Sequence, residues 1–163
     1  MILVTLGTHP QPMDRLLRKL DELVEAGEIG DEVIVQAPAL GYAPKHLTVR
    51  SVLPFAELTA LIVDADAVIS HAGPGTLATV RLNGKVPVVV PRSRRHREHV
   101  DTHQEFYAQH LRKLSGYIVV DDLDKLAEAI QRARTETLKV GAPDVSSAVA
   151  ALEEELRRAG CPG

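Results

Sequence analysis

The stretch V-I-S-H-A-G-P-G-T-L-A-T, Val68 to Thr79, constrains this chain more than any other. Three apolar residues, Ala67, Val68 and Ile69, run into Ser70 and His71. Gly73 and Gly75 follow, with Pro74 between them, and the pattern then turns helical. A strand that ends in a Gly-rich turn and restarts as a helix aims backbone N–H groups at one spot beyond the sheet. The positive end of the helix dipole points the same way. That spot suits a phosphate or diphosphate.

The rest of the chain alternates short apolar strands with helical patterns. Residues 2–6 read as a first strand. Pro12 suits the first turn of a helix that carries Met13, Leu16, Leu17, Leu20, Leu23 and Val24 on one face and ends at Gly27. Strands are expected over 32–36, 47–51, 67–70, 86–90 and 117–120. Helices are expected over 54–64, with Phe55, Leu58, Leu61 and Ile62 inward, and over 75–83 and 101–114. Asp122 or Asp124 caps a further helix with Leu126, Ala127 and Ile130. A linker over 135–143 precedes a last helix over 144–159.

This alternation predicts an α/β fold: a Rossmann-like parallel sheet with helices on both faces. The 163 residues suit a single domain, with its core in 1–135. Ligands of such sheets bind beyond the C-terminal strand ends, where strand order reverses. That points to the loops 7–11, 71–76 and 91–104, with 37–43 as a further candidate.

Composition removes several classes. A net charge of -3 and 3% aromatic residues, with no Trp, argue against a nucleic-acid binder. The single Cys161 cannot form an internal disulfide, which fits a reducing cytosol. The N-terminus starts as a strand and does not read as a signal peptide, and no apolar run reaches the roughly 20 residues of a membrane span.

Three loops carry chemistry. In G-T-H-P-Q-P-M-D-R-L, Gly7 and Thr8 offer an amide and a hydroxyl and His9 a side chain. The spacing is not G-x-G-x-x-G, so a dinucleotide cofactor is disfavoured. In H-A-G-P-G-T, the glycines let a ligand approach the backbone closely, and His71, Pro74 and Thr76 flank it. The alternative reading of His71 is a satisfied core histidine. In P-R-S-R-R-H-R-E-H-V-D-T-H-Q, Arg92, Arg94, Arg95 and Arg97 crowd one loop, which by itself reads as a solvated face. His96, His99 and His103 match no zinc spacing, so no metal is expected. Asp101 is a candidate N-cap, and Gln104 a partner for sugar hydroxyls.

In this order, H-A-G-P-G-T, G-K-V-P-V-V-V-P-R and E-H-V-D-T-H-Q resemble the C-terminal domain of glycosyltransferase family 28. The opening G-T-H-P-Q-P-M-D-R-L is similar too. The resemblance covers about residues 1–135 and implies one lobe, of the C-terminal type, of a GT-B fold. A domain of this length resembles the small catalytic subunit of two-subunit transferases. These are the dolichol-linked N-acetylglucosaminyl transferase and, more closely, the bacterial exopolysaccharide or capsule pairs.

The resemblance implies an inverting transferase that moves a hexose from a UDP-sugar to a lipid-diphosphate-linked acceptor, without a cofactor or metal. The diphosphate is expected at Gly73, Gly75, Thr76 and the first loop, and sugar hydroxyls at Asp101 and Gln104, with His103 also in the donor site. Many relatives hold the ribose with an acidic residue where this chain has Thr79. A general base is needed, and His9 and a residue of a partner both remain open. A membrane-anchored acceptor lobe is the expected partner, holding the protein at the cytoplasmic face. The basic loop is expected to face that partner, anionic lipid head groups or the diphosphate. A non-catalytic nucleotide-sugar-binding subunit is the alternative reading. An epimerase is a more distant one, because it normally carries both lobes in one chain.

Overall fold

The computed structural model describes residues 1–136 and 138. Among them the strands are β1 (Ile2–Thr5), β2 (Val33–Gln36), β3 (Thr48–Arg50), β4 (Ala67–Ser70), β5 (Val88–Val89) and β6 (Ile118–Val119). The helices are α1 (Asp14–Glu25), α2 (Phe55–Asp64), α3 (Pro74–Leu82), α4 (His103–Leu111) and α5 (Leu126–Thr135). All pairings are parallel, and the order is β3-β2-β1-β4-β5-β6. This is the doubly wound Rossmann order. Its strand order reverses between β1 and β4, which opens a crevice at their C-terminal ends.

Strand periodicity explains the two layers. Ile2 and Val4 of β1 face one side and pack with Leu16 and Leu20 of α1 and Ile130 of α5. Leu3, pointing the other way, packs with Val68 of β4, Ile62 of α2 and Val80 of α3. Successive residues of the strand are therefore buried on both faces, as in any sheet covered by crossover helices. Asp122 accepts the Asp124 N–H at 3.1 Å and starts the short 3₁₀ turn Leu123–Lys125 that leads into α5.

Four local expectations are corrected. Phe55 is not inward but 72% exposed, because it opens α2 beyond the strand ends, and burial begins a turn later. Pro12 lies outside α1, whose first bonds are the Leu16 and Leu17 N–H groups to the Met13 carbonyl. The helix expected over 101–114 is confined to His103–Leu111. The loop 37–43 does not line the crevice and is tied to α1: the Gly41 N–H reaches Asp14, and Asp21 accepts the Tyr42 hydroxyl at 2.6 Å and the Lys45 and His46 amides.

Most of the expected linker over 135–143, the helix over 144–159 and Cys161 lie outside the described residues. Among the described residues no helix is long and apolar enough to cross a membrane.

Candidate functional site at the strand-order switch

A cleft of about 300 Å³ opens at the C-terminal ends of β1, β2 and β4. Gly7 and Thr8 after β1, and His71, Gly73, Pro74, Gly75 and Thr76 after β4, line it together. The opposite wall is Val52, Leu53 and Leu58. Sequence reasoning missed these three and Gln36. Only their topological place could have pointed to them: Val52 and Leu53 follow β3, Leu58 lies on α2 and Gln36 ends β2. A larger cleft of about 550 Å³, lined by Asp31, Asp64, Asp66, Lys85 and Arg134 among others, lies at the N-terminal strand ends. That is the wrong end for a ligand of this fold.

The floor is rigid. The Thr5 hydroxyl donates to Gln36 Oε1 at 2.9 Å, and Gln36 Nε2 donates to the Gly7 carbonyl at 2.9 Å. This ties the end of β2 to the turn after β1. His71 is buried, with Nδ1 3.4 Å from the Thr5 carbonyl. Burial, reinforced by the Arg92 guanidinium, lowers its pKa to about 4. The imidazole is neutral at neutral pH. When Nδ1–H donates to Thr5, Nε2 is left as an acceptor.

The glycines divide their work. Side-chain atoms at Gly7 and Gly73 would run into the His71 ring, whereas a Cβ at Gly75 would meet nothing within 4 Å. The Gly73 N–H is also taken, by the His71 carbonyl at 2.8 Å. Gly73 therefore serves the histidine rather than presenting its amide to a ligand. The first intrahelical bond of α3 runs from the Leu77 N–H to the Gly73 carbonyl at 3.1 Å. The amides of Gly75 and Thr76 precede it, at the positive end of the helix dipole. Thr79, on the next turn, donates its hydroxyl to the Gly75 carbonyl at 3.0 Å.

The third loop is partly interior. Arg92 is 1% exposed. Its guanidinium donates to the carbonyls of Leu6 at 2.8 Å, Glu98 at 3.0 Å and Gln11. It leaves the solvated basic face because these carbonyls, at the ends of two loops, need a buried donor. Arg94, Arg95 and Arg97 stay exposed.

Gln104 Oε1 accepts the Arg92 N–H at 3.1 Å, which leaves the side-chain amide nitrogen as its donor. Asp101 accepts the His103 N–H at 3.0 Å and lies 2.8 Å from His99 Nδ1. These contacts hold its carboxyl below the usual range, the His103 bond contributing most. His9 stacks on His99 with ring centroids 4.5 Å apart. Burial first, then His99 and Arg92, lower its pKa. Asp101, His103, Gln104, Thr79 and His9 lie outside the lining of the cleft.

Comparison with known proteins places this geometry. The sequence pattern described as the glycosyltransferase family 28 C-terminal domain matches residues 1–156. No curated protein matches the chain. The solved glycotransferase of kitacinnamycin aligns over 96% of this chain and 39% of its own, at 23% identity and a TM-score of 0.60. The glycosyltransferase SnogD from Streptomyces nogalater aligns over 93% of this chain and 42% of its own, at 25% identity and a TM-score of 0.51. The spinosyn forosaminyltransferase SpnP aligns over 96% and 39%, at 20% identity and a TM-score of 0.56. The chain thus spans about two fifths of the length of these solved enzymes. Its fold is that of the C-terminal lobe of a GT-B glycosyltransferase.

Proposed function

Because this chain belongs to the glycosyltransferase family 28 C-terminal domain family, we propose that it is the donor-binding catalytic subunit of an inverting hexosyltransferase. The donor is a UDP-sugar. The acceptor is a lipid-diphosphate-linked saccharide of exopolysaccharide or capsule assembly, handled at the cytoplasmic membrane face. The observation that carries the reading is the cleft at the β1–β4 switch, where Gly7, Thr8, Gly75 and Thr76 converge.

In this reading negative charge grows on the departing diphosphate as the glycosidic bond breaks. The Gly75 and Thr76 amides, the α3 dipole and the Thr8 hydroxyl stabilise that charge without a metal. The neutral His71 supplies an acceptor to a donor hydroxyl. Val52, Leu53 and Leu58 give the base an apolar wall, Thr79 stands beside the ribose, and Asp101, His103 and Gln104 receive the sugar. The acceptor hydroxyl loses its proton to His9 or to a base of the acceptor lobe.

A membrane-anchored partner of the kind that pairs with the dolichol-linked N-acetylglucosaminyl transferase's small subunit supplies that lobe. The reason is that donor and acceptor must be held together for transfer.

A second reading is favoured by Thr79, whose hydroxyl hydrogen is engaged with Gly75. It is a nucleotide-sugar-binding subunit without turnover. Ligand-observed NMR of the chain against UDP, GDP and NAD tests donor binding. Preference for UDP, with transfer appearing when the acceptor lobe is added, is the expected result. Preference for NAD overturns the reading, and UDP binding without transfer selects the second.

A further inference from the structure

The loop after β5 contains a short 3₁₀ turn, Arg94–His96, with its base held from inside the fold. Two buried charges hold its base. Arg92 ties it to the carbonyls of Leu6, Gln11 and Glu98. Glu98 is 2% exposed and accepts the Ser93 N–H at 3.0 Å and Arg15 Nε at 2.8 Å. Arg15 also donates to the Pro91 carbonyl at 2.8 Å. Arg97 closes the turn in the left-handed region, at φ 59°, a conformation uncommon for a residue with a long side chain.

What this framework presents is cationic and apolar. Arg94, Arg95 and Arg97 are exposed, and none has an acidic partner among the described residues. Close by in the chain, Val100 is 67% and Phe106 is 63% exposed. Arg95, His96 and Phe106 share one cleft of about 420 Å³. The acids in that cleft are occupied: Glu105 accepts the Ser93 hydroxyl at 2.6 Å, and Asp121 pairs with Arg112. On a chain whose net charge is -3, this is a local reversal of sign.

We propose that this face, Arg94, Arg95 and Arg97 with Val100 and Phe106, is a docking surface for an anionic phospholipid bilayer. The argument is charge complementarity beside an apolar wedge. Guanidinium groups pair with phosphate oxygens in a fork geometry. An exposed aromatic ring next to them enters the boundary between head groups and acyl chains. Each basic residue near an anionic surface adds about a factor of five in affinity, so three add about two orders of magnitude. Nucleic acid fits less well, because the face offers a single aromatic ring and the whole chain is acidic. The surface works whether or not the proposed sugar transfer is correct, since bilayer contact needs no substrate.

The test is sedimentation of the full chain with extruded vesicles. One set is pure phosphatidylcholine and the other contains about a third phosphatidylglycerol, each at about 50 mM and 500 mM NaCl. The chain is expected to bind the anionic set only, and to lose that binding at high salt as the Debye length shrinks. The triple variant Arg94→Gln, Arg95→Gln, Arg97→Asn is expected to bind about a hundredfold less; Asn suits the left-handed position. Phe106→Ser is expected to weaken binding severalfold at the low salt, and serves as a second arm should the triple variant fold poorly. The control triple variant Lys45→Gln, Lys85→Gln, Arg134→Gln, at the N-terminal strand ends, is expected to bind as the parent does. Absence of binding to anionic vesicles overturns the proposal. So does equal loss in the two triple variants, or a triple variant and Phe106→Ser that both bind normally. Displacement from vesicles by single-stranded RNA at matched charge reassigns the surface and overturns it too.

Discussion

Gly7 and His71 come from the ends of neighbouring strands, and a Cβ added at Gly7 would stand 2.6 Å from His71 Cε1. Gly7 also holds φ at +70°. Two independent costs therefore meet at one residue, one of backbone conformation and one of space. At Gly73 only the second applies, since its φ is -88° and the atoms in the way belong to the His71 ring.

That difference predicts a double-mutant cycle. Gly73→Ala is expected to destabilise the parent by about 1–3 kcal/mol, the usual cost of forcing atoms into filled space. In a His71→Ala background the same change costs almost nothing. Gly7→Ala destabilises in both backgrounds, and with His71 removed it keeps only the left-handed penalty of about 1–2 kcal/mol. Urea unfolding of the six proteins measures the couplings. A Gly73→Ala cost unchanged by removing His71 shows that the ring is not what requires that glycine.

His71 also makes stability depend on pH. Its pKa is 6.5 when unfolded and about 4 when folded. Between those values the unfolded chain binds a proton that the folded chain does not, so stability falls as pH falls. The contribution is complete above pH 6.5 and lost by about pH 4, on the order of 3 kcal/mol in all. His71→Asn is expected to flatten this part of the stability curve. Urea midpoints from pH 7.5 to 4 check it, and equal slopes for parent and variant contradict the assignment.

The reach of the sequence follows from these same residues. The strand-to-helix turn after β4 was legible because local chemistry fixes it: four buried residues, then two glycines around a proline. The parallel order was legible because short, largely apolar strands alternate with helical patterns along the chain. The division of labour between glycines was not, because it depends on where a ring from β4 lies relative to a turn from β1. Arg92 reads as one more charge in a basic run, and only long-range packing shows that it satisfies three carbonyls of two loops. Phe55 reads as core by helical spacing, and its exposure follows from α2 overhanging the strand ends. The apolar wall of Val52 and Leu53 has no local pattern.

Arg92 is expected to be intolerant of conservative change. Lysine carries the charge but cannot direct donors to the Leu6, Gln11 and Glu98 carbonyls at once. Arg92→Lys is expected to cost about 2 kcal/mol, and Arg92→Met about 3 kcal/mol or more, since the carbonyls are then left without donors. Thermal unfolding by circular dichroism measures both. A lysine variant as stable as the parent assigns the residue a purely electrostatic role.

Thr79→Glu is expected to tighten UDP binding about tenfold or more. The threonine hydroxyl donates to the Gly75 carbonyl at 3.0 Å, so its hydrogen is not available to a ribose. A carboxylate accepts charge-assisted hydrogen bonds from ribose hydroxyls, each of about 1.5–3 kcal/mol. Calorimetric titration with UDP and with uracil separates the ribose contribution. A variant that gains nothing for UDP places the ribose elsewhere.

Gly75→Val is the sharpest test of the diphosphate seat. Gly75 is exposed, occupies the second position of α3 after Pro74, and a Cβ there would meet nothing within 4 Å. The fold therefore accepts a side chain, in contrast to Gly7 and Gly73. The ligand does not, because the space over Gly75 and Thr76 is where the α3 amides point. The melting temperature is expected to stay within a few degrees of the parent, while UDP binding falls by at least about tenfold and uracil binding is unaffected. Circular dichroism and calorimetry on the same preparation read both quantities. A folded variant that binds UDP as the parent does removes this turn from the site and leaves the first loop as the remaining seat for the diphosphate.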